Sequence, residues 1–219
     1  MPRRFYTLMD DGCYHIICRG NNRSTVFRDD SDRQCYLHLL AGYFGEYRVT
    51  LYHYCLMSNH VHLVVRARHG QDVGRAMHDL NLTYAQHLQR AYDHVGHVWQ
   101  GPFRNVPITA DAHLLQCGAY VELNPVRAGI VQAPQAYPWS SYRAYAEGLR
   151  DPFVIPDPAY LGLAETPARR QHSYRDFVMR QLALPQAAVS HLLPSCRGRP
   201  QKKHQVQKTP GSFLSVGRV

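Results

Sequence analysis

No two of the six cysteines (Cys13, Cys18, Cys35, Cys55, Cys117 and Cys196) stand in a C-x-x-C pair. Several lie inside apolar runs, as in Ile16-Ile17-Cys18 and Tyr54-Cys55-Leu56. That usage argues against a disulfide framework and for buried free thiols in a reducing compartment. Also missing is any stretch near the roughly 20 apolar residues that span a bilayer. The basic start, Met1-Pro2-Arg3-Arg4-Phe5, has no apolar signal core behind it. A cytoplasmic location with no membrane segment is expected. Acidic residues are few: 16 Asp and Glu against 25 Lys and Arg leave a formal charge of +9. The imbalance favours an anionic partner such as nucleic acid.

What is present is ample for a core. Of the 219 residues, 45% are apolar, a share typical of globular domains, and the length suits one domain with an appendage. Fifteen Tyr and fourteen His are many for this length. Both suit a polar or nucleic-acid-binding surface, although tyrosines also fill cores and histidines also decorate ordinary surfaces.

Along the chain, Tyr14 to Arg19 is short, apolar and partly β-branched, and it ends at Gly20-Asn21-Asn22. It reads as a first strand closing in a polar turn. Asp29-Asp30-Ser31-Asp32 offers capping oxygens to a helix carrying Tyr36, Leu37, Leu40 and Phe44, stopped near Gly45. Val49 to Met57 and His60 to Ala67 read as two strands. Their Ser58-Asn59 joint suits a hairpin, since Asn tolerates a left-handed turn position. Apolar residues recur at helical spacing from Asp72 to about His94, and Phe103 to Ile108 reads as a fourth strand.

Strand–helix–strand–strand–helix–strand is the ferredoxin-like split βαβ order. An α+β fold is therefore expected, an antiparallel sheet with both helices on one face and the other face open for a site. A further helix runs from Ala112 to Leu123 and ends at Asn124-Pro125, because the residue before proline leaves the α region. The chain divides into a core over 1–149, a helical and irregular extension over 150–194, and a basic tail over 195–219.

Two places carry chemistry. On a strand, side chains alternate, so His60 and His62 point the same way while Val61 points into the core. Two imidazoles roughly 6.5–7 Å apart along the backbone can converge on one cation. Alone, the pattern more often marks two partly exposed histidines. On the later helix, Tyr120 and Asn124 are four residues apart and share a face. A tyrosine can attack phosphorus and keep the bond energy in a phosphotyrosine. The Asn124 carbonyl can complete a His–His–amide triad for Mg²⁺ or Mn²⁺, harder ions than a closed zinc site would favour. The competing reading packs Tyr120 in the core and has Asn124 merely cap the helix.

Met57-Ser58-Asn59-His60-Val61-His62 and Tyr120-Val121-Glu122-Leu123-Asn124-Pro125-Val126-Arg127-Ala128-Gly129 together resemble the REP-associated tyrosine transposases. These are single-tyrosine HUH nucleases related to small insertion-sequence transposases that act on single-stranded DNA. Further matches, in the family's order, are Tyr14-His15 with Arg19-Gly20-Asn21-Asn22, Trp99-Gln100 with Phe103-Arg104, and Tyr137-Pro138-Trp139-Ser140-Ser141-Tyr142. The resemblance spans about residues 5–145. It implies that His60, His62 and Asn124 hold a divalent metal and that Tyr120 is the nucleophile, leaving a 5′-phosphotyrosine and a free 3′-OH. It also implies single-stranded DNA hairpins, REP-like palindromes, as substrates for a monomer or homodimer.

Arg19, Asn21, Asn22, Arg23, Arg104 and Arg127 are candidate DNA contacts, with Arg127 alternatively pinning the Asn-Pro turn. In the tail, Arg197-Gly198-Arg199-Pro200 resembles an AT-hook core, and Arg197 and Arg199 are added as DNA contacts. A solvated basic tail accounts for the same residues. Two competitors to an active nuclease remain: a domesticated, non-cleaving hairpin-binding regulator, and a rolling-circle initiator or relaxase. The lone tyrosine placed after the histidine pair favours the transposase group.

Overall fold

Four strands and two crossover helices follow one another as β1 (Gly12–Arg19), α1 (Asp30–Glu46), β2 (Val49–Met57), β3 (His60–Ala67), α2 (Gly70–Tyr92) and β4 (Arg104–Ile108). The computed structural model describes residues 7–185. Arg197, Arg199 and the expected basic tail lie outside the described residues. The strands pair antiparallel in the order β2-β3-β1-β4, the order of the split βαβ fold. Asp29 caps α1 by accepting from Asp32 N at 3.0 Å. The β2–β3 hairpin forms at Ser58-Asn59, but neither residue is left-handed. Asn59 earns its place through its side chain instead, as described below.

Both crossover helices share one face of the sheet. Tyr14, Ile16, Leu56, Val61, Leu63 and Val65 meet Tyr36, Leu40, Met77, Leu80 and Tyr84 there. The opposite face is not wholly open. A third helix, α3 (Asp111–Glu122), lays Leu114, Cys117 and Val121 on Tyr52, Cys55 and Val64. A bulge in β2 prepares this contact. Leu51 faces Val65 and His53 faces Val64, so Tyr52 is an extra residue, and both Tyr52 and His53 turn toward α3. The helix packs close because residue 118 is glycine: a Cβ there would lie 2.5 Å from His53 Nε2.

Behind α3 the chain adds α4 (Asn124–Arg127), α5 (Tyr142–Glu147), α6 (Pro158–Leu161) and α7 (Pro167–Ala183). Leu115, Ala119 and Leu123 on the rear of α3 pack with Tyr145, Tyr160, Tyr174 and Val178. These segments also consume the outer edge of β2. Leu56 N donates to Trp139 O at 2.9 Å, Ser141 N to Tyr54 O at 3.1 Å and Ile155 N to Leu51 O at 3.0 Å. The hydroxyls of Tyr137 and Tyr145 donate to the Leu56 and Tyr52 carbonyls.

The join is closed by a buried ionic cluster. His53 Nδ1 lies 2.9 Å from Glu122 Oε1 and Nε2 lies 3.0 Å from Asp157 Oδ2, with every member fully buried. Ser141 Oγ and the Tyr174 hydroxyl donate to Glu122, each at 2.7 Å, and Tyr145 stacks on the imidazole at 4.2 Å. Desolvation alone would depress the His53 pKa, but its hydrogen bonds and charge attraction to Asp157 and Glu122 raise it to about 9. Burial would raise the Asp157 carboxyl; the bond to His53 instead holds it below its usual value.

A raised folded-state pKa contributes stability that is complete below the unfolded value of 6.5 and fades as pH climbs through about 9. Thermal melts are therefore expected to show Tm falling across that window. A Tm that is level from pH 6.5 to 9 would exclude an imidazolium at residue 53. His53→Leu strands two buried carboxylates, and denaturant titration should show a loss of about 3–5 kcal/mol. Gly118→Ala should cost about 1–3 kcal/mol by the same measurement, through overpacking against His53.

Candidate active site

The alternation of β3 sets His60 and His62 on the α3 side of the sheet, beside the end of that helix. Antiparallel pairing places Arg19 opposite His60 and Ile17 opposite His62. Two residues before Ile17, on the same face of β1, stands His15. Its Nε2 lies 2.8 Å from His62 Nδ1, and the two rings stack with centroids 5.0 Å apart. His60 meets His62 at 4.9 Å, nearly edge-on.

From the helix side Tyr120, half-buried, presents its ring edge-on to both inner histidines. Centroids lie 6.1 Å from His62 and 6.0 Å from His15. The strand pair and the helix tyrosine, 58 residues apart in sequence, are thus neighbours in one chain. One turn on, Asn124 Nδ2 donates to the Tyr120 carbonyl at 2.9 Å and the Val121 carbonyl at 3.1 Å. Asn124 does cap the helix, and it does so with its nitrogen; among the described residues no hydrogen bond reaches its Oδ1.

Each expected ligand histidine has one nitrogen already engaged. His60 Nδ1 lies 2.6 Å from Asn59 Oδ1, while Asn59 Nδ2 donates to the Arg23 carbonyl at 3.1 Å. With Nδ1 donating, the His60 Nε2 lone pair is exposed for other use. Burial, and next the positive charge of Arg19, pull the His60 pKa down to about 4. Burial drives His62 well below its usual value, with His15, His60 and Arg19 adding to the effect. Burial alone takes His15 to about 3. All three rings are therefore neutral near pH 7. Neither Nε2 of the His60/His62 pair makes a hydrogen bond among the described residues.

The donor set fits a hard divalent ion: two neutral imidazoles and an amide oxygen, with no thiolate. Among the described residues no three His, Cys, Asp or Glu side chains form a metal cage.

The expected DNA contacts fall into two groups. Arg19, Asn21, Asn22 and Arg23 adjoin the histidines, because Gly20 N donates to Asn59 O at 2.9 Å and ties their turn to the hairpin. Asn22 and Arg23 are both left-handed there, at φ 51° and 60°. Arg104 is exposed on the edge strand opposite Ile17, hence on the same face of the sheet. Arg127 is different. Its guanidinium carbon sits 5.2 Å from the Tyr120 ring centre, and Nη2 donates to Gln181 O at 3.2 Å. It pins the end of α7 to the tyrosine rather than the Asn-Pro turn to itself.

Residues 9–124, more than half of the chain, match the model of the IS200-like transposases. The chain belongs to the IS200-like transposase family. Membership brings with it a transposase, DNA-processing role. Among solved structures, this IS200-like transposase is similar to a REP-associated tyrosine transposase bound to a REP hairpin. The TM-score is 0.57 at 18% identity, covering 72% of this chain and 93% of that one, an agreement in fold. A putative transposase from Deinococcus radiodurans aligns at TM-score 0.37 and 20% identity, over 60% of this chain and 93% of that one. The tRNA(His) guanylyltransferase of Saccharomyces cerevisiae aligns at 0.38 and 9%, over 80% and 81%. No curated protein matches. No helix among the described residues is long and apolar enough to cross a membrane.

Two site residues escape a reading of the sequence for ligands: His15, which touches both His62 and Tyr120, and Asn59, which orients His60. The metal-free protein offers a direct check on the electrostatics. An NMR titration of the His60 ring should give a midpoint near 4 rather than 6.5, and Arg19→Ala should raise it. A midpoint at 6.5 would show the ring to be solvated.

Proposed function

We propose that this IS200-like transposase is a metal-dependent single-stranded DNA endonuclease and strand transferase. Its substrates are hairpin-forming, REP-like palindromes, and its intermediate is a covalent 5′-phosphotyrosine. The observation that carries the reading is Tyr120 standing edge-on to His62 of its own chain at 6.1 Å. One protomer then assembles nucleophile and metal ligands together.

In the proposed reaction Tyr120 Oη attacks the scissile phosphorus. The new phosphorus–oxygen bond forms as the bond to the 3′-oxygen breaks, the phenolic proton passes to solvent, and the 3′-oxygen takes up a proton. Strand transfer is the reverse, with a different 3′-OH displacing the tyrosine. The Arg127 guanidinium over the ring favours the phenolate that attacks. His60 Nε2, His62 Nε2 and Asn124 Oδ1 would hold Mg²⁺ or Mn²⁺, which when bound draws charge from the phosphoryl oxygens. Arg19, Asn21, Asn22, Arg23 and Arg104 lie where a strand crossing the site would need phosphate and base contacts. Hairpin DNA as partner is supported by the fold likeness to a transposase solved on a REP hairpin.

Incubation with Mn²⁺ and single-stranded hairpins from the same genome should trap a protein–DNA adduct. Tyr120→Phe should reduce adduct and cleavage by about 10³-fold or more while hairpin binding stays near wild type. An adduct surviving in that variant would remove Tyr120 from its role. His60→Ala combined with His62→Ala should abolish metal-dependent cleavage. Hairpin binding by the wild-type protein without cleavage under any divalent ion would favour the regulator instead.

A further inference from the structure

One histidine on the site's face has no role in the reaction above. His15 is fully buried, lies 2.8 Å by Nε2 from His62 Nδ1, and holds its ring parallel to that of His62 within 21°. Its other nitrogen, Nδ1, is buried with no hydrogen-bond partner among the described residues. Of the two ring nitrogens, therefore, only Nε2 has an engagement, and that engagement is with His62.

Two proton arrangements satisfy this contact. In one, His15 Nε2–H donates to His62 Nδ1. His62 then carries its own proton on Nε2, and that nitrogen has no lone pair to offer. In the other, His62 Nδ1–H donates to His15 Nε2. His62 Nε2 then carries the lone pair, and His15 Nδ1–H is left buried and unpartnered. Only the second arrangement is compatible with a cation at His62 Nε2. Asn59 does for His60 what the second arrangement asks of His15: its Oδ1 lies 2.6 Å from Nδ1 and leaves Nε2 open.

We propose that His15 is a positioning residue for the metal site, accepting the His62 Nδ1–H and thereby fixing the tautomer and ring orientation in which Nε2 binds the ion. The inference rests on the metal reading given under the proposed function. Partners of ligating histidines are commonly carboxylates or carbonyls. A neutral imidazole in that position adds no negative charge, so the bound ion keeps its full attraction for a DNA phosphate. Nδ1 is without a partner in either arrangement, so the one hydrogen bond His15 makes is spent on His62. The stacked ring then holds His62 by both contact and hydrogen bond.

The full-length protein, without DNA, can test this by Mn²⁺ titration followed by the electron paramagnetic resonance signal of free aqua-Mn²⁺. His15→Leu keeps the apolar volume and removes the acceptor, and should weaken Mn²⁺ binding by about 10–100-fold. His15→Gln places an amide oxygen close to the position of Nε2 and should recover most of that loss. A His15→Leu protein that binds Mn²⁺ like wild type overturns the proposal, as does a folded His15→Gln protein as weak as His15→Leu. The wild-type protein supplies a reading that needs no variant. With Mg²⁺ bound, long-range proton–nitrogen NMR should show His62 protonated on Nδ1, and an Nε2-protonated His62 would refute the idea. Failure of the metal reading itself looks different: His60→Ala with His62→Ala would bind Mn²⁺ as tightly as wild type, and the proposal would fall with it.

Discussion

His53, sealed between Glu122 and Asp157, makes the interaction on which the placement of the helix carrying Tyr120 depends. Burying an ion triad is favourable only when every charged atom is met, and here each carboxylate oxygen has a donor. Glu122 Oε1 receives His53 and Ser141, and Oε2 receives Tyr174. Asp157 Oδ2 receives His53, and Oδ1 receives the Tyr160 amide, so the same carboxylate caps α6. Glu122 lies two residues beyond Tyr120 on α3, roughly on the opposite side of the helix. The cluster therefore grips the helix from behind while its front offers Tyr120 to the histidines. Residues 150–185 are not remote from Tyr120 in this arrangement; they supply Asp157 and Tyr174 to the grip.

Most of the fold was legible because it is written in local patterns. Short apolar runs ending in turn residues located β1, β2 and β3 within a residue or two, Asp29 announced α1, and the order of elements pointed to the sheet. The open second face was legible only in part, because nothing local says that α3 returns to lie on it. The β2 bulge and Gly118 are both needed for that return, and each has meaning only beside the other. For the site, His60, His62, Tyr120 and Asn124 were singled out as candidates by spacing and by resemblance. His15 was not, since a lone histidine in an apolar strand gains its role through the β1–β3 register, which puts it beside a residue 47 positions away. His53 was hidden for the same reason, its two carboxylates lying 69 and 104 positions downstream.

Electrostatically the two clusters are opposites. Around His53, burial is outweighed by two carboxylates and the ring is charged. Around His60 and His62 burial meets the positive charge of Arg19, and the rings are neutral. The same residue type thus serves as a structural cation on one part of the sheet face and as a pair of open lone pairs on another. Fourteen histidines in the sequence gave no hint of this division, because it is set by which charges tertiary folding brings near.

The covered flank of β2 has a consequence for how copies of this molecule can meet. With its amides and carbonyls on that side already bonded to residues 137–155, the β2 margin offers no free ladder on which another strand could build. The turns that hold α3 in place thus also close this edge to the strand-to-strand pairing that threatens an exposed sheet margin.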